Sequence, residues 1–264
     1  MWTITKKSLD AIRKQVINEF PKGKLDRINL FLENLTFNHD SNSNGIQRGQ
    51  QFLFPELASK PVYSSGECEW TSEIEKSFPV ILSDYNSCLY QGNLREPYLA
   101  EDEPDYSAYL ENKKLAPPNK RWEAIFICRD GVYNKINKRI CTNTLKLISK
   151  AVIGNGDIMF SILKKKTEIV PHYGLNNLHL TCHVGIVVNN LSFLKVHNKK
   201  YTWSVGKCLV FDDTFYHSAA NNSNNDRIIF LFDFWHPDLQ TTEIRILKRI
   251  LPLIEGLQRR PFVL

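Results

Sequence analysis

From residue 122 onward the chain is dominated by short runs of β-branched and aromatic residues: RWEAIFICRDG, GDIMFSILKK, TEIVPHYG, LHLTCHVGIVV, TWSVGKCLVFDD and RIIFLFDFW. Each run is bounded by Gly, Asn, Asp or Pro, the residues that end strands and form turns. The runs follow closely on one another, and no helical period is evident between them. That succession predicts an all-β sandwich or barrel.

The rest of the chain reads as helix and loop around this core. Leu9, Ile12, Val16, Ile17 and Phe20 recur at helical spacing, with Ser8 as the expected N-cap. After the break at FPKG, Leu25, Ile28, Phe31, Leu32 and Leu35 repeat the pattern. The polar stretch Asn38 to Gln50 reads as a linker. The expected organisation is therefore an N-terminal helical extension over residues 1–48 and a β domain over 49–264. Short helices are expected around Glu73 to Phe78 and after Pro79. YLAEDEPDYSAYLENKKLAPPNK reads as a long irregular loop of the kind that covers or shapes a site. A final helix is expected over Thr241 to Glu255, with Ile244, Leu247, Ile250 and Leu251 on one face. The fold class is mainly β with flanking helices.

Composition narrows the function classes. With 264 residues, 42% hydrophobic and 23% charged, the chain fits an ordinary globular domain with a sizeable core. The longest apolar run, Ile228 to Trp235, is strand-sized and too short to cross a bilayer. Six cysteines show neither a CxxC pair nor a zinc-type spacing, so reduced thiols are expected. The N-terminus lacks the pattern of a secretory leader, and a cytoplasmic, monomeric protein without membrane contact is expected. A net charge of +6 invites a nucleic-acid partner, but its lysines are scattered. The tightest group, LKKKTE, suits a solvated strand end. No nucleic-acid-binding motif accompanies it, and no such partner is expected.

Chemistry concentrates on three stretches. Period-two alternation along NLHLTCHVGIVV puts Leu178, Leu180, Cys182, Val184 and Ile186 on one face and His179, Thr181, His183 and Gly185 on the other. The polar face faces either solvent or a cavity. His172 stands at a strand end in VPHYG, and His217 follows 45 residues later at the end of KCLVFDDTFYH. Two neutral imidazoles meeting at the mouth of a β-sandwich suit divalent iron, copper, nickel or zinc. Arg227 opens the most apolar strand and is a candidate anion anchor. Two-histidine iron sites ordinarily add a carboxylate two residues after the first histidine, and that position here is Gly174. His236, in FWHP, suits a buried structural role, and His39 and His197 suit surface loops.

At FSILKKKTEIVPHYG, LTCHVGIVV, WSVGKCLVFDDTFYHSAANNSNNDR and DFWHPDL the sequence resembles the aspartyl/asparaginyl β-hydroxylase family. The similarity is dense from about Asp157 to Leu239 and weaker back to about Phe52. The resemblance implies a double-stranded β-helix (jelly-roll, cupin-like) core and an oxygenase dependent on Fe(II), 2-oxoglutarate and O2. Glycine in place of the carboxylate is itself a feature of that family. The resemblance makes His172 and His217 the metal ligands and Arg227 the anchor of the 2-oxoglutarate distal carboxylate, with Ser161 beside it. His183 and Trp122 would complete the cosubstrate pocket, and Asp212 and Asp213 would orient a ligand or solvent.

The resemblance also has gaps. Where members acting on acidic residues carry arginines or another cation, this chain has His179, Thr181 and Met159. Desolvated carboxylates need charged partners. The expected substrate is therefore a neutral amino-acid residue in a peptide, a carrier-bound amino acid or a small molecule. His179, Thr181, Met159 and Asp213 are the candidate contacts to it. Two rivals stand beside this: a non-catalytic jelly-roll binding module, and a zinc hydrolase using the same histidines.

Overall fold

The computed structural model describes residues 4–16, 19–20, 25–37, 46–91, 95–98, 122–151 and 153–258. His39 with most of its linker, and the long polar loop beyond Tyr98, lie outside the described residues. In chain order the elements are α1 (Lys6–Gln15), α2 (Asp26–Phe37), β1 (Val62–Tyr63), α3 (Thr71–Lys76), α4 (Phe78–Tyr90), β2 (Glu96–Pro97), β3 (Trp122–Arg129) and β4 (Val132–Tyr133). Then follow α5 (Lys135–Ile140), α6 (Thr142–Ile148), β5 (Ile153–Leu163), β6 (Thr167–His172), β7 (His179–Val187), β8 (Ser192–Val196) and β9 (Lys199–Tyr201). The last are β10 (Cys208–Phe211), β11 (His217–Asn221), β12 (Arg227–Trp235) and α7 (Thr241–Gln258).

The strands form two antiparallel sheets. The larger runs β1-β10-β7-β12-β5-β3-β2 with β4 beside β3, and the smaller runs β6-β11-β8-β9. Strands from β5 onward cross between the sheets in the order of a jelly roll: β5, β7, β10 and β12 in the large sheet, β6, β8, β9 and β11 in the small one. The double-stranded β-helix core expected above is present.

Both faces of the large sheet are covered, which explains why RIIFLFDFW reads as almost unbroken apolar sequence. Ile228, Phe230, Phe232 and Phe234 point to the outer side, where Ile74 of α3 and Ile81 and Tyr85 of α4 join the same cluster. Each such fully buried side chain contributes roughly 1.5–3 kcal/mol. Leu180, Cys182, Val184 and Ile186 of β7 belong to the same layer, as their alternation predicts. Between the sheets lies a smaller apolar cluster that includes Ile169, Leu194, Trp203, Phe211 and Ile229.

The helices depart from expectation in three ways. The N-cap of α1 is Thr5, whose Oγ1 accepts the Ser8 N–H at 3.1 Å, so Ser8 lies inside the first turn. Two helices, α5 and α6, interrupt the β-rich half where none was read. Asn134 caps α5 by accepting from the Ile136 and Asn137 N–H groups, an Asx start hidden in a polar stretch. On α7 the fully buried face is Ile246, Leu247, Ile250 and Ile254, while Ile244 and Leu251 sit at its margin. That helix shares one apolar cluster with Ile12 of α1, Phe31 of α2, and Phe54, Leu178 and Trp235. Among the described residues no helix is long and apolar enough to cross a membrane.

Candidate active site

A cavity of about 120 Å³ opens between the two sheets. Strand alternation decides what reaches it. β5 supplies Asp157, Met159 and Ser161; β7 supplies Thr181 and His183; β12 supplies Arg227, Ile229, Leu231 and Asp233. From the smaller sheet come His172 and His217.

The two histidines are cross-strand partners. His172 ends β6, His217 begins β11, and the register pairs them directly, with a bulge just after His217. Their ring centroids lie 4.1 Å apart. His172 Nδ1 sits 2.6 Å from the Val170 carbonyl and His217 Nδ1 sits 2.9 Å from the Phe215 carbonyl. A carbonyl only accepts, so each bond assigns the proton to Nδ1 and the lone pair to Nε2. Burial lowers the pKa of both; for His217, burial with His172 alongside takes it to about 3. Both are neutral at physiological pH, the form in which imidazole binds metals.

Gly174 leaves room for the Asp213 side chain. Its N–H donates to the Asp213 carbonyl at 2.7 Å. A Cβ built at position 174 would fall 2.1 Å from Asp213 Cγ. The Asp213 carboxylate therefore occupies the space beside Gly174 and faces the cavity. Asp212, grouped with Asp213 in the sequence reading, does not. It is fully buried, accepting from Gln47 Nε2 at 2.8 Å and from the Thr214 N–H at 2.9 Å, as a turn-stabilising carboxylate. Among the described residues no three His, Cys, Asp or Glu side chains are grouped to hold a metal.

Arg227 is the deepest cation. It is 1% exposed, and its Nε and Nη1 have no hydrogen-bond partner among the described residues. Its guanidinium carbon lies 4.9 Å from the Trp203 ring centroid. Burial lowers its pKa to about 9, so it stays charged at neutral pH. Buried N–H groups left without acceptors are costly, on the order of 1–3 kcal/mol each. A guanidinium in that state, facing a cavity, fits a carboxylate ligand. Ser161 lines the same cavity, and its Oγ accepts the Trp122 indole N–H at 3.0 Å. His183 Nδ1 accepts the Trp203 indole N–H at 3.3 Å, which assigns its proton to Nε2. His183 is thus a donor, the opposite tautomer to the facing pair, and burial followed by Arg227 and His217 keeps it neutral.

His172, His217, Arg227, Ser161, His183, Trp122, Met159, Thr181 and Asp213 all border this one cavity. His179 does not. It lies on the same face of β7 but past the cavity, its ring 4.4 Å from that of Trp235 and close against Gly154. Its expected contact with a substrate group is not what its packing provides. His236 is held by Tyr63 Oη at 2.9 Å and by the Asp238 N–H at 3.2 Å, a buried structural histidine. His197 sits half-buried at a turn with φ 52°. Four lining residues able to hydrogen-bond are not among the candidates drawn from the sequence: Tyr98, Asp157, Trp203 and Asp233. A lone carboxylate inside RIIFLFDFW was a visible sign of Asp233; nothing local marks Trp203.

A jelly roll whose polar side chains converge from both sheets on an internal pocket belongs, by architecture, with the cupin-like β-helix proteins. The family model for aspartyl/asparaginyl beta-hydroxylase matches residues 75–237, more than half of the chain, and the chain belongs to that family. Aspartate beta-hydroxylase domain-containing protein 2 of Homo sapiens is 29% identical across 78% of this chain and 55% of its own length. An ornithine lipid ester-linked acyl 2-hydroxylase of Rhizobium tropici is 30% identical across 70% of this chain and 63% of its own. The match thus spans little more than half the length of these curated relatives. A solved 2OG-Fe(II) oxygenase family oxidoreductase of Burkholderia pseudomallei aligns with TM-score 0.38 and 12% identity, over 70% of this chain and 95% of that one.

Proposed function

We propose that this chain is an Fe(II)- and 2-oxoglutarate-dependent oxygenase that hydroxylates an unactivated C–H bond of an amino-acid residue. The residue would stand in a peptide, on a carrier or in a small molecule. The observation that carries this reading is Arg227: a buried guanidinium with unbonded N–H groups in the same cavity as two neutral imidazoles of matched tautomer.

In this reading His172 and His217 hold the metal through Nε2. Arg227 grips the distal carboxylate of 2-oxoglutarate, and Ser161, oriented by the Trp122 indole, lies beside it. His183 donates its Nε2–H to the cosubstrate, and Trp203 fixes its orientation. Asp213 sets its carboxyl group next to the imidazole pair, where burial, then Asp212 and Asp233, raise its pKa and favour the protonated acid until a cation arrives. When bound, the metal with 2-oxoglutarate and O2 supplies the oxidising power for the C–H bond. The protein binds, orients and keeps out bulk water. No general base is required, in keeping with imidazoles held neutral by burial. Two protein imidazoles with no third ligand grouped beside them among the described residues weigh against the zinc hydrolase, which wants three. The names of the relatives span aspartyl or asparaginyl groups and the acyl chain of an ornithine lipid, so family membership alone leaves the substrate open. A reduced, cytoplasmic environment is part of this reading, supported by six free cysteines.

The test is anaerobic titration of the purified chain with Fe(II) and 2-oxoglutarate, watching for the visible metal-to-ligand charge-transfer band. A band that is lost in His172→Ala and weakened in Arg227→Ala is expected. A folded protein that gives no band at saturating ligand moves the non-catalytic binding module ahead.

A further inference from the structure

The end of the cavity away from Arg227 carries chemistry of the opposite sign. Asp157 on β5 and Asp233 on β12 both line it, as do Tyr98 and Thr181. Asp233 is well satisfied: it accepts from Thr181 Oγ1 at 2.8 Å and from the Asp157 N–H at 2.9 Å. Asp157 is not. Its Oδ1 accepts the Asp130 N–H at 3.1 Å, but among the described residues its Oδ2 has only the Tyr98 hydroxyl at 3.5 Å. Among the described residues neither carboxylate has a cationic side chain within the 4 Å of an ion pair. Against them stands an aromatic wall, Tyr98 stacked on Trp122 with ring centroids 3.8 Å apart and planes 13° from parallel.

Holding Asp233 in place is explained by the strand, because its carboxylate receives the backbone N–H beside a bulge in the β5–β12 pairing. That does not explain a second carboxylate, Asp157, turned into the same space with one oxygen scarcely bonded. Two half-buried carboxylates with no cation in direct contact are unfavourable unless one takes up a proton or a ligand supplies a cation. The Tyr98 hydroxyl beside Asp157 offers an ammonium a further oxygen acceptor. Independently, the unbonded and buried Arg227 marks this same cavity as one that holds a ligand.

We propose that the substrate carries a protonated amino group, seated between Asp157 and Asp233 and walled by Tyr98 and Trp122. The assignment rests on the reading above only in taking this cavity as the active site. It narrows the expected neutral substrate to an amine-bearing one. It also reverses the charge logic of relatives that act on acidic side chains, at positions that include Met159 and Thr181.

The titration behaviour agrees. Burial first, then Asp233, raises Asp157 to about 7, and burial raises Asp233 to about 6. The groups facing them are each other, Asp130, Arg129, Tyr98 and Thr181. An arriving ammonium finds more carboxylate charge at pH 8 than at pH 5.5 and should bind more tightly there.

The test is anaerobic calorimetry of the full chain, loaded with Fe(II) and 2-oxoglutarate, against n-butylammonium, n-butanol and butyrate. The ammonium is expected to bind at least about tenfold more tightly than the alcohol, a difference of about 1.4 kcal/mol. Asp157→Asn should bring the two within about twofold, and Asp157→Glu should restore part of the preference. Retained near-UV circular dichroism in Asp157→Asn separates loss of charge from loss of fold. Equal affinities in the wild type, no measurable binding of any of the three, or a preference untouched by Asp157→Asn would overturn the proposal. The charge-transfer band in the same samples reports on the cosubstrate separately. Its absence beside a retained ammonium preference would sink the 2-oxoglutarate assignment and leave the ammonium seat standing.

Discussion

The two ends of the cavity differ in how firmly their charge is held. At one end Arg227, lowered by burial to about 9, remains a cation throughout the physiological range. At the other, Asp157 and Asp233 have been raised to about 7 and about 6, so their charge depends on pH and on what sits beside them. Both ends lie on the same three strands and within the same apolar walls, so burial alone does not set the contrast. Guanidinium begins with a pKa so high that burial cannot discharge it, whereas a carboxylate starts near 4 and is easily pushed towards neutrality. A constant charge suits a constant cosubstrate. A conditional one suits a group that is present only when the right substrate arrives.

That contrast is easiest to break at its fixed end. Arg227→Ala should weaken 2-oxoglutarate binding by about 100-fold or more, because a charge-assisted bidentate pair is lost. Arg227→Lys should recover only part, since a point charge does not reproduce the planar fork. Anaerobic titration of the charge-transfer band measures both, and full recovery by lysine would show that the geometry of the guanidinium is irrelevant.

The conditional end should reveal itself in stability before any ligand is added. The folded pKa of Asp157 lies above its unfolded value, so the folded chain holds an extra proton between about pH 4 and 7 and loses stability as pH rises through that window. Asp157→Asn removes the penalty. It should raise the melting temperature at pH 8 by several degrees, on the order of 2 kcal/mol, and change little at pH 4. Melting curves across pH decide it; a mutant that is less stable at pH 8 would mean that the carboxylate is a structural partner.

The smallest effect belongs to Thr181→Val. Deleting the hydroxyl that donates to Asp233 should cost about 1 kcal/mol of stability and weaken butylammonium binding a few-fold. The 2-oxoglutarate titration should not move. A change confined to the cosubstrate would instead place Thr181 with the Arg227 end.

Much of the jelly roll was legible because period-two alternation is a local property. RIIFLFDFW and LHLTCHVGIVV announce both their strands and their faces without any tertiary information. The short helices α5 and α6 were not, because at six and seven residues they leave no sustained period. What they depend on instead is the capping Asn134 for α5, the Asp84 carboxylate that accepts the Thr144 N–H for α6, and a share in the apolar cluster outside the large sheet. The histidine pair, Arg227 and Ser161 were reached through motif and family resemblance, and the fold brings them to one cavity. The acidic end escaped for a different reason. Asp157 sits in the glycine-containing first half of β5, IGNGD, where no alternation of apolar and polar residues announces a face, and its partner lies 76 residues away on β12. His179 misled because alternation tells which face a side chain takes but not how far along the strand a cavity extends; Trp235 closes that space.

The placement of Arg227 and Asp233 on one strand makes β12 a ruler. They are six residues apart on the same face, about 20 Å at roughly 3.3 Å per residue. Only every second position on that strand faces the interior, so the reach from anchor to carboxylate can change only in steps of about 7 Å. Moving the carboxylate from 233 to the Leu231 position would shorten the reach by one step. Inserting a single residue between them would not lengthen it but would turn Asp233 towards the outer apolar layer. Pairs of cosubstrate and substrate that differ together by one methylene must therefore be told apart by the filling of the walls, at Met159 and Leu231. Those that differ by a whole residue can be told apart by the strand itself.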